Sequence, residues 1–126
     1  MQLFNRRKLC IVSVFVGLAL SVSATARSFF SQIEDLPIAP GMEEVGPAGL
    51  FFQSASGRIV VAVARGEEKI SVIRRFYAKS LPPLGWHFVQ TGIYRRNSEM
   101  LKIRFQQASG KVSIYLHIVP IKKPLN

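Results

Sequence analysis

Two alternating runs meet at Ser109-Gly110, and this closing hairpin constrains the fold more than any other feature of the chain. A turn fixes the register of the strands it joins. Counting outward places Leu101 opposite Ile118, Ile103 opposite Leu116 and Phe105 opposite Ile114, all apolar and all on one face. The other face pairs Lys102 with His117 and Arg104 with Tyr115. Two long strands with one apolar and one polar face belong to an antiparallel sheet packed on one side only.

Upstream of this hairpin the chain continues as a meander. Trp86 to Val89 turns at Thr91-Gly92 into Ile93 to Arg96, which turns at Asn97-Ser98 into Met100 to Gln107. Arg96 then faces Glu99, which reads as a weak cross-strand ion pair. Between Glu67 and Ser80 the period changes to three or four residues. Ile70, Ile73, Phe76 or Tyr77, and Leu81 form one stripe, with Lys69, Arg74, Arg75 and Lys79 largely outside it. This is an amphipathic helix, with Glu67 and Glu68 in its first turn and Pro82-Pro83 as its stop. Trp86, just beyond, is expected at the edge of the core.

Before the helix, Leu50 to Ala55 and Ile59 to Ala64 flank Ser56-Gly57, a hairpin signal. The register expected from that turn pairs Leu50 with Val63 and Phe52 with Val61. Ile59 to Val63 is apolar on both faces, as suits a central strand covered on both sides, or partly so. Residues 27–47 form an extended leader punctuated by Pro37 and Pro40, with Ser28 to Phe30 expected to be flexible and Leu36, Ile38 and Met42 as anchors of a clasp. The expected fold is therefore α+β: a two-layer sandwich of one amphipathic helix on a curved antiparallel sheet of five to six strands, in the order ββαββββ. It occupies residues 48–126 as a single domain.

Residues 1–26 have a different character. Arg6, Arg7 and Lys8 precede an apolar run from Leu9 to Val22, which closes on Ala24-Thr25-Ala26. A basic start, a short apolar centre and small residues at −3 and −1 make a cleavable export signal. Cleavage after Ala26 leaves 126 − 26 = 100 residues beginning at Arg27. The alternative is an uncleaved anchor in the inner membrane. The run of 14 residues falls short of the ~20 that cross a bilayer as a helix. Cys10 is the one cysteine and lies inside the signal, so the exported domain relies on packing rather than disulfides.

Of 17 Lys and Arg, three belong to the signal, leaving 14 − 7 = +7 after cleavage. In a cytosolic protein that balance would suggest nucleic acid. Export redirects it toward phospholipid headgroups, acidic envelope polymers or an acidic envelope protein, with solubility alone as the plain reading. No nucleic-acid partner, metal or cofactor is expected. His87 and His117 have no ligand-like spacing, and a serine triad finds only Asp35, in the leader. The adjacent pairs Glu43-Glu44 and Glu67-Glu68 read as solvated charges. The candidate binding face is Lys102, Arg104, Tyr115 and His117, with Arg95 added if the Asn97-Ser98 register allows.

The segments Asp35-Leu36-Pro37 to Pro40-Gly41-Met42, Gly57-Arg58-Ile59-Val60, and Phe76-Tyr77 to Leu81-Pro82 with Leu84-Gly85-Trp86 carry a resemblance. From Asp35 onward the chain is similar to small exported proteins of alphaproteobacteria that have no established activity. The resemblance implies export and a compact single domain, and it carries no catalytic residue. The expectation is a periplasmic or secreted module of the cell envelope that binds rather than catalyses. A membrane-tethered accessory subunit and a cofactor-free hydrolase are the alternatives.

Overall fold

The structure is a computed structural model that describes residues 27–46 and 50–122. Residues 1–26, expected to be a signal and containing Cys10, Ala24 and Ala26, lie outside the described residues. Nine strands and one α-helix follow in order: β1 (Phe29–Phe30), β2 (Ile33–Pro37), β3 (Met42–Glu44), β4 (Phe51–Ser54), β5 (Gly57–Gly66), α1 (Ile70–Ser80), β6 (His87–Gln90), β7 (Ile93–Arg96), β8 (Glu99–Ala108) and β9 (Lys111–Pro120). A 3-10 turn, Pro82–Leu84, links α1 to β6 and ends at Gly85 in the left-handed conformation.

The expected α+β sandwich is what forms, with a larger sheet. Seven antiparallel strands run β3-β5-β9-β8-β7-β6, and β4 joins the same edge of β5 that β3 occupies. β3 pairs with Ala64–Gly66 and β4 with Gly57–Val60, so the two short strands lie end to end along β5. The closing hairpin has the register expected from its turn, including Leu101 with Ile118 and Lys102 with His117.

One face of the sheet carries Val60, Ala62 and Ala64 of β5, Val112, Ile114, Leu116 and Ile118 of β9, Leu101 and Ile103 of β8, and Tyr94 of β7. Ile73, Tyr77 and Leu81 of the helical stripe close over it. At ~25 cal/mol per Å² of apolar surface removed from water, each buried valine, leucine or isoleucine side chain contributes about 1.5–3 kcal/mol before entropy is counted.

The proline-punctuated stretch is more ordered than its sequence suggests. β1 pairs with β2 as a separate two-stranded ribbon, and β3 extends the main sheet. Leu36, Ile38 and Met42 are buried, as a clasp requires, and Phe30, Ile33 and Ala39 join them. The Tyr77 hydroxyl donates to the Pro37 carbonyl oxygen at 3.0 Å, tying the helix to this ribbon. Burial raises the Tyr77 pKa, so the phenol remains a donor across the physiological range.

Three local expectations are corrected. The β4–β5 turn is Ala55-Ser56, not Ser56-Gly57, so Phe52 faces Ile59 and the Leu50 carbonyl accepts from the Val61 amide. The Ser54 hydroxyl closes this turn on the Gly57 carbonyl at 2.7 Å, and the shift of two residues leaves every side chain on its expected face. The helix begins at Ile70, after Lys69 in extended geometry, and the Glu68 carboxylate accepts the Lys69 amide in the connection that precedes it. Glu67 and Glu68 therefore stand outside the first turn.

Arg96 and Glu99 are register partners, yet each binds another residue. Arg96 pairs with Asp35 and also donates to the Leu84 carbonyl, while Arg58 holds Glu99 at 2.7 Å. Arg58, Arg96 and Glu99 lie on the helix side of the sheet, where Asp35 of β2 comes within reach. The hydrogen bond to Glu99 raises the Arg58 pKa further, so the guanidinium keeps its charge.

Candidate functional site

The opposite face of the sheet has no layer packed on it among the described residues. Its composition follows from strand alternation and register. In one row across the sheet stand Val61, His117, Lys102 and Ile93; in the next stand Val63, Tyr115 and Arg104. A third row runs Phe52, Ile59, Val119, Met100, Arg95 and His87. The five residues singled out from sequence thus share one face: Lys102 lies directly opposite His117, Arg104 opposite Tyr115, and Arg95 beside Met100.

Sequence reasoning missed the apolar half of this surface. β5 is covered on one side only: Ile59 is exposed and Val61 and Val63 are half-buried. Leu50 is 60 % exposed and Phe52 61 % exposed at the same end. A shallow depression there is lined by Ile59, Met100, Val119, Pro120 and Ile121, with Lys102 and Lys122 at its rim. The signal was present in the two-sided apolar run of β5, which implies a second contact that the described residues do not supply.

Charge is segregated between the layers. Lys102, Arg104, Arg95, Arg65 and Lys111 belong to the outer face by register. Of the seven acids, Glu43, opposite Arg65, is the one placed there. Asp35 and Glu99 hold arginines on the helix side, and Glu44 accepts the amide and hydroxyl of Ser31 at 3.1 and 2.8 Å. Apart from Arg65, which faces Glu43, the cations of the outer face have no carboxylate as register partner. The Tyr115 hydroxyl donates to Gln106 and the Arg65 guanidinium to the Ser113 hydroxyl, contacts that orient both side chains along the sheet.

His117 is held neutral at physiological pH. Burial lowers its pKa first, and the positive charges of Arg104 and Lys102 lower it further. His87 lies three strands away, about 14 Å by inter-strand spacing, and the two histidines do not form a pair. Among the described residues no group of three or more His, Cys, Asp or Glu is placed to hold a metal ion, and no helix is long and apolar enough to cross a membrane. The arrangement suits adsorption: cations, an aromatic hydroxyl and exposed apolar side chains on a broad surface. No protein-family model, curated protein or solved structure matches this chain.

Proposed function

We propose that this protein is a small exported, non-catalytic module of the cell envelope that docks through its outer sheet face onto an anionic lipid surface. The reading of export rests on the signal pattern of residues 1–26 and on the resemblance of the remainder to exported proteins. The observation that carries the lipid reading is the adjacency of exposed Leu50, Phe52 and Ile59 to Lys102, Arg104 and Arg95 on one face. A soluble polyanion would engage the cations and leave the apolar half in water. A bilayer interface takes both, with apolar side chains at the acyl boundary and cations among the headgroups.

The test is co-sedimentation of the purified exported protein with vesicles, after N-terminal sequencing establishes whether it starts at Arg27. Retention is expected on phosphatidylglycerol-containing vesicles and not on pure phosphatidylcholine. Each cation near such a surface is worth about 1 kcal/mol, so Lys102→Gln with Arg104→Gln should weaken binding roughly thirtyfold. Equal retention of wild type and double variant would overturn this assignment of the docking face.

A pH dependence follows from His117. An anionic surface favours the imidazolium, and the folded free protein disfavours it, so docking takes up a proton. Affinity should rise as pH falls from about 7 to 5, by up to roughly fivefold for one added charge. His117 faces Lys102 and Arg104 from β8 and Val61 from β5, with no carboxylate opposite it. His117→Gln should flatten the profile; an unchanged slope would assign the dependence elsewhere.

A further inference from the structure

On the helix side of the molecule, away from the docking face, a cleft opens between α1 and the β6–β8 end of the sheet. Its volume is about 170 Å³, and it is walled by Tyr77, Phe88, Tyr94, Ile103 and Phe105, with Arg74 and Ala78 along the helical lip and Thr91-Gly92 at the turn. An apolar cavity of ~150 Å³ holds a benzene molecule, so this one has room for a single ring and too little for a drug-sized ligand.

Three observations point to an occupant. First, Phe88 remains 65 % exposed at the rim of the cleft, stacked edge-on against Tyr94 with ring centroids 5.7 Å apart. This leaves a large aromatic surface facing water beside a ready-made apolar wall. Second, the Tyr94 ring is only 6 % exposed and forms part of the cleft wall, and burial raises the pKa of its phenol, which therefore stays a protonated donor there. Third, the Arg74 guanidinium lies over the Phe105 ring, 5.2 Å from its centroid, and no acidic side chain lines the cleft. The lip is cationic and the wall aromatic.

We infer that this cleft binds a small aromatic carboxylate, its ring enclosed by Phe88, Tyr94 and Phe105 and its carboxylate paired with Arg74. The guanidinium fork accepts a carboxylate in two parallel hydrogen bonds, and aromatic walls favour a ring over an aliphatic chain through edge-to-face contacts. The inference is independent of lipid docking, because it concerns the opposite layer of the sandwich.

The experiment is an amide-resolved NMR titration of the full chain with 3-phenylpropanoate, run beside 3-phenylpropanamide and acetate. The aromatic acid should shift the amides of Ala78, Thr91 and Gly92 saturably. The neutral amide should bind several-fold more weakly, and acetate should leave these amides unmoved. Arg74→Gln should weaken the acid about fivefold without changing the amide, and Ala78→Phe, at an exposed helix position, should block both. Absence of saturable shifts at the cleft, equal affinity for acid and amide, or undiminished binding by the Ala78→Phe protein would each overturn the inference.

Discussion

Gly66→Ala is expected to strip β3 from the sheet and lower the melting temperature by roughly 10–25 °C, corresponding to about 2–4 kcal/mol in a domain of this size. Gly66 ends β5 opposite Met42. A Cβ added there would fall 2.1 Å from the Gly41 carbonyl oxygen and 2.7 Å from the Met42 sulfur. The first contact is with backbone, which cannot rotate away as a side chain would, so the Gly41–Met42 segment has to move. Met42 is buried, and its displacement forfeits core packing as well as the β3 ladder. Gly46→Ala is the control, since nothing lies within 4 Å of the added carbon. A Gly66→Ala protein within about 0.5 kcal/mol of wild type in urea denaturation would show that β3 contributes little.

The second large effect is at Trp86. It is fully buried, the Arg96 guanidinium stacks on its ring at 4.3 Å, and its indole nitrogen has no hydrogen-bond partner among the described residues. Trp86→Ala should cost about 3–5 kcal/mol. Beyond the cavity, it removes the surface on which Arg96 lies while that residue reaches Asp35 and the Leu84 carbonyl. Trp86→Phe should cost much less, about 1–2 kcal/mol, because lost ring volume is partly offset by removal of an unsatisfied buried donor. This is the chain's single tryptophan, so both variants have to be followed by far-ultraviolet circular dichroism rather than fluorescence. Equal losses for the two variants would show that the ring itself contributes little.

What could be read from the sequence was what neighbouring residues decide. Leu101, Ile103 and Phe105 found their partners because Ser109-Gly110 sets their register within 20 residues. The cations of the candidate face came with them, since alternation puts Lys102 and Arg104 opposite His117 and Tyr115. The ion pairs could not be read in this way. Arg96 and Glu99 are adjacent across a turn, but Asp35 reaches Arg96 from 61 residues away and Arg58 reaches Glu99 from 41. The apolar half of the outer sheet face was hidden for the same reason. Ile59 and Val119 are neighbours only because β5 pairs with β9, which no local turn dictates. The cleft draws on α1, β6, β7 and β8, so no single segment announces it.

The placement of β9 has a consequence for how the molecule comes into being. The last described strand is an inner one, with β5 on one side and β8 on the other. The hairpin β8–β9 can close quickly, but β5 has to wait for its long partner about 50 residues downstream, and until then only the short strands β3 and β4 lie beside it. A nascent chain cut off before Lys111 holds the meander at one end and β5 with its edge strands at the other, with nothing between them. The sheet is therefore completed from its middle, and its two halves are joined only when β9 is in place between β5 and β8.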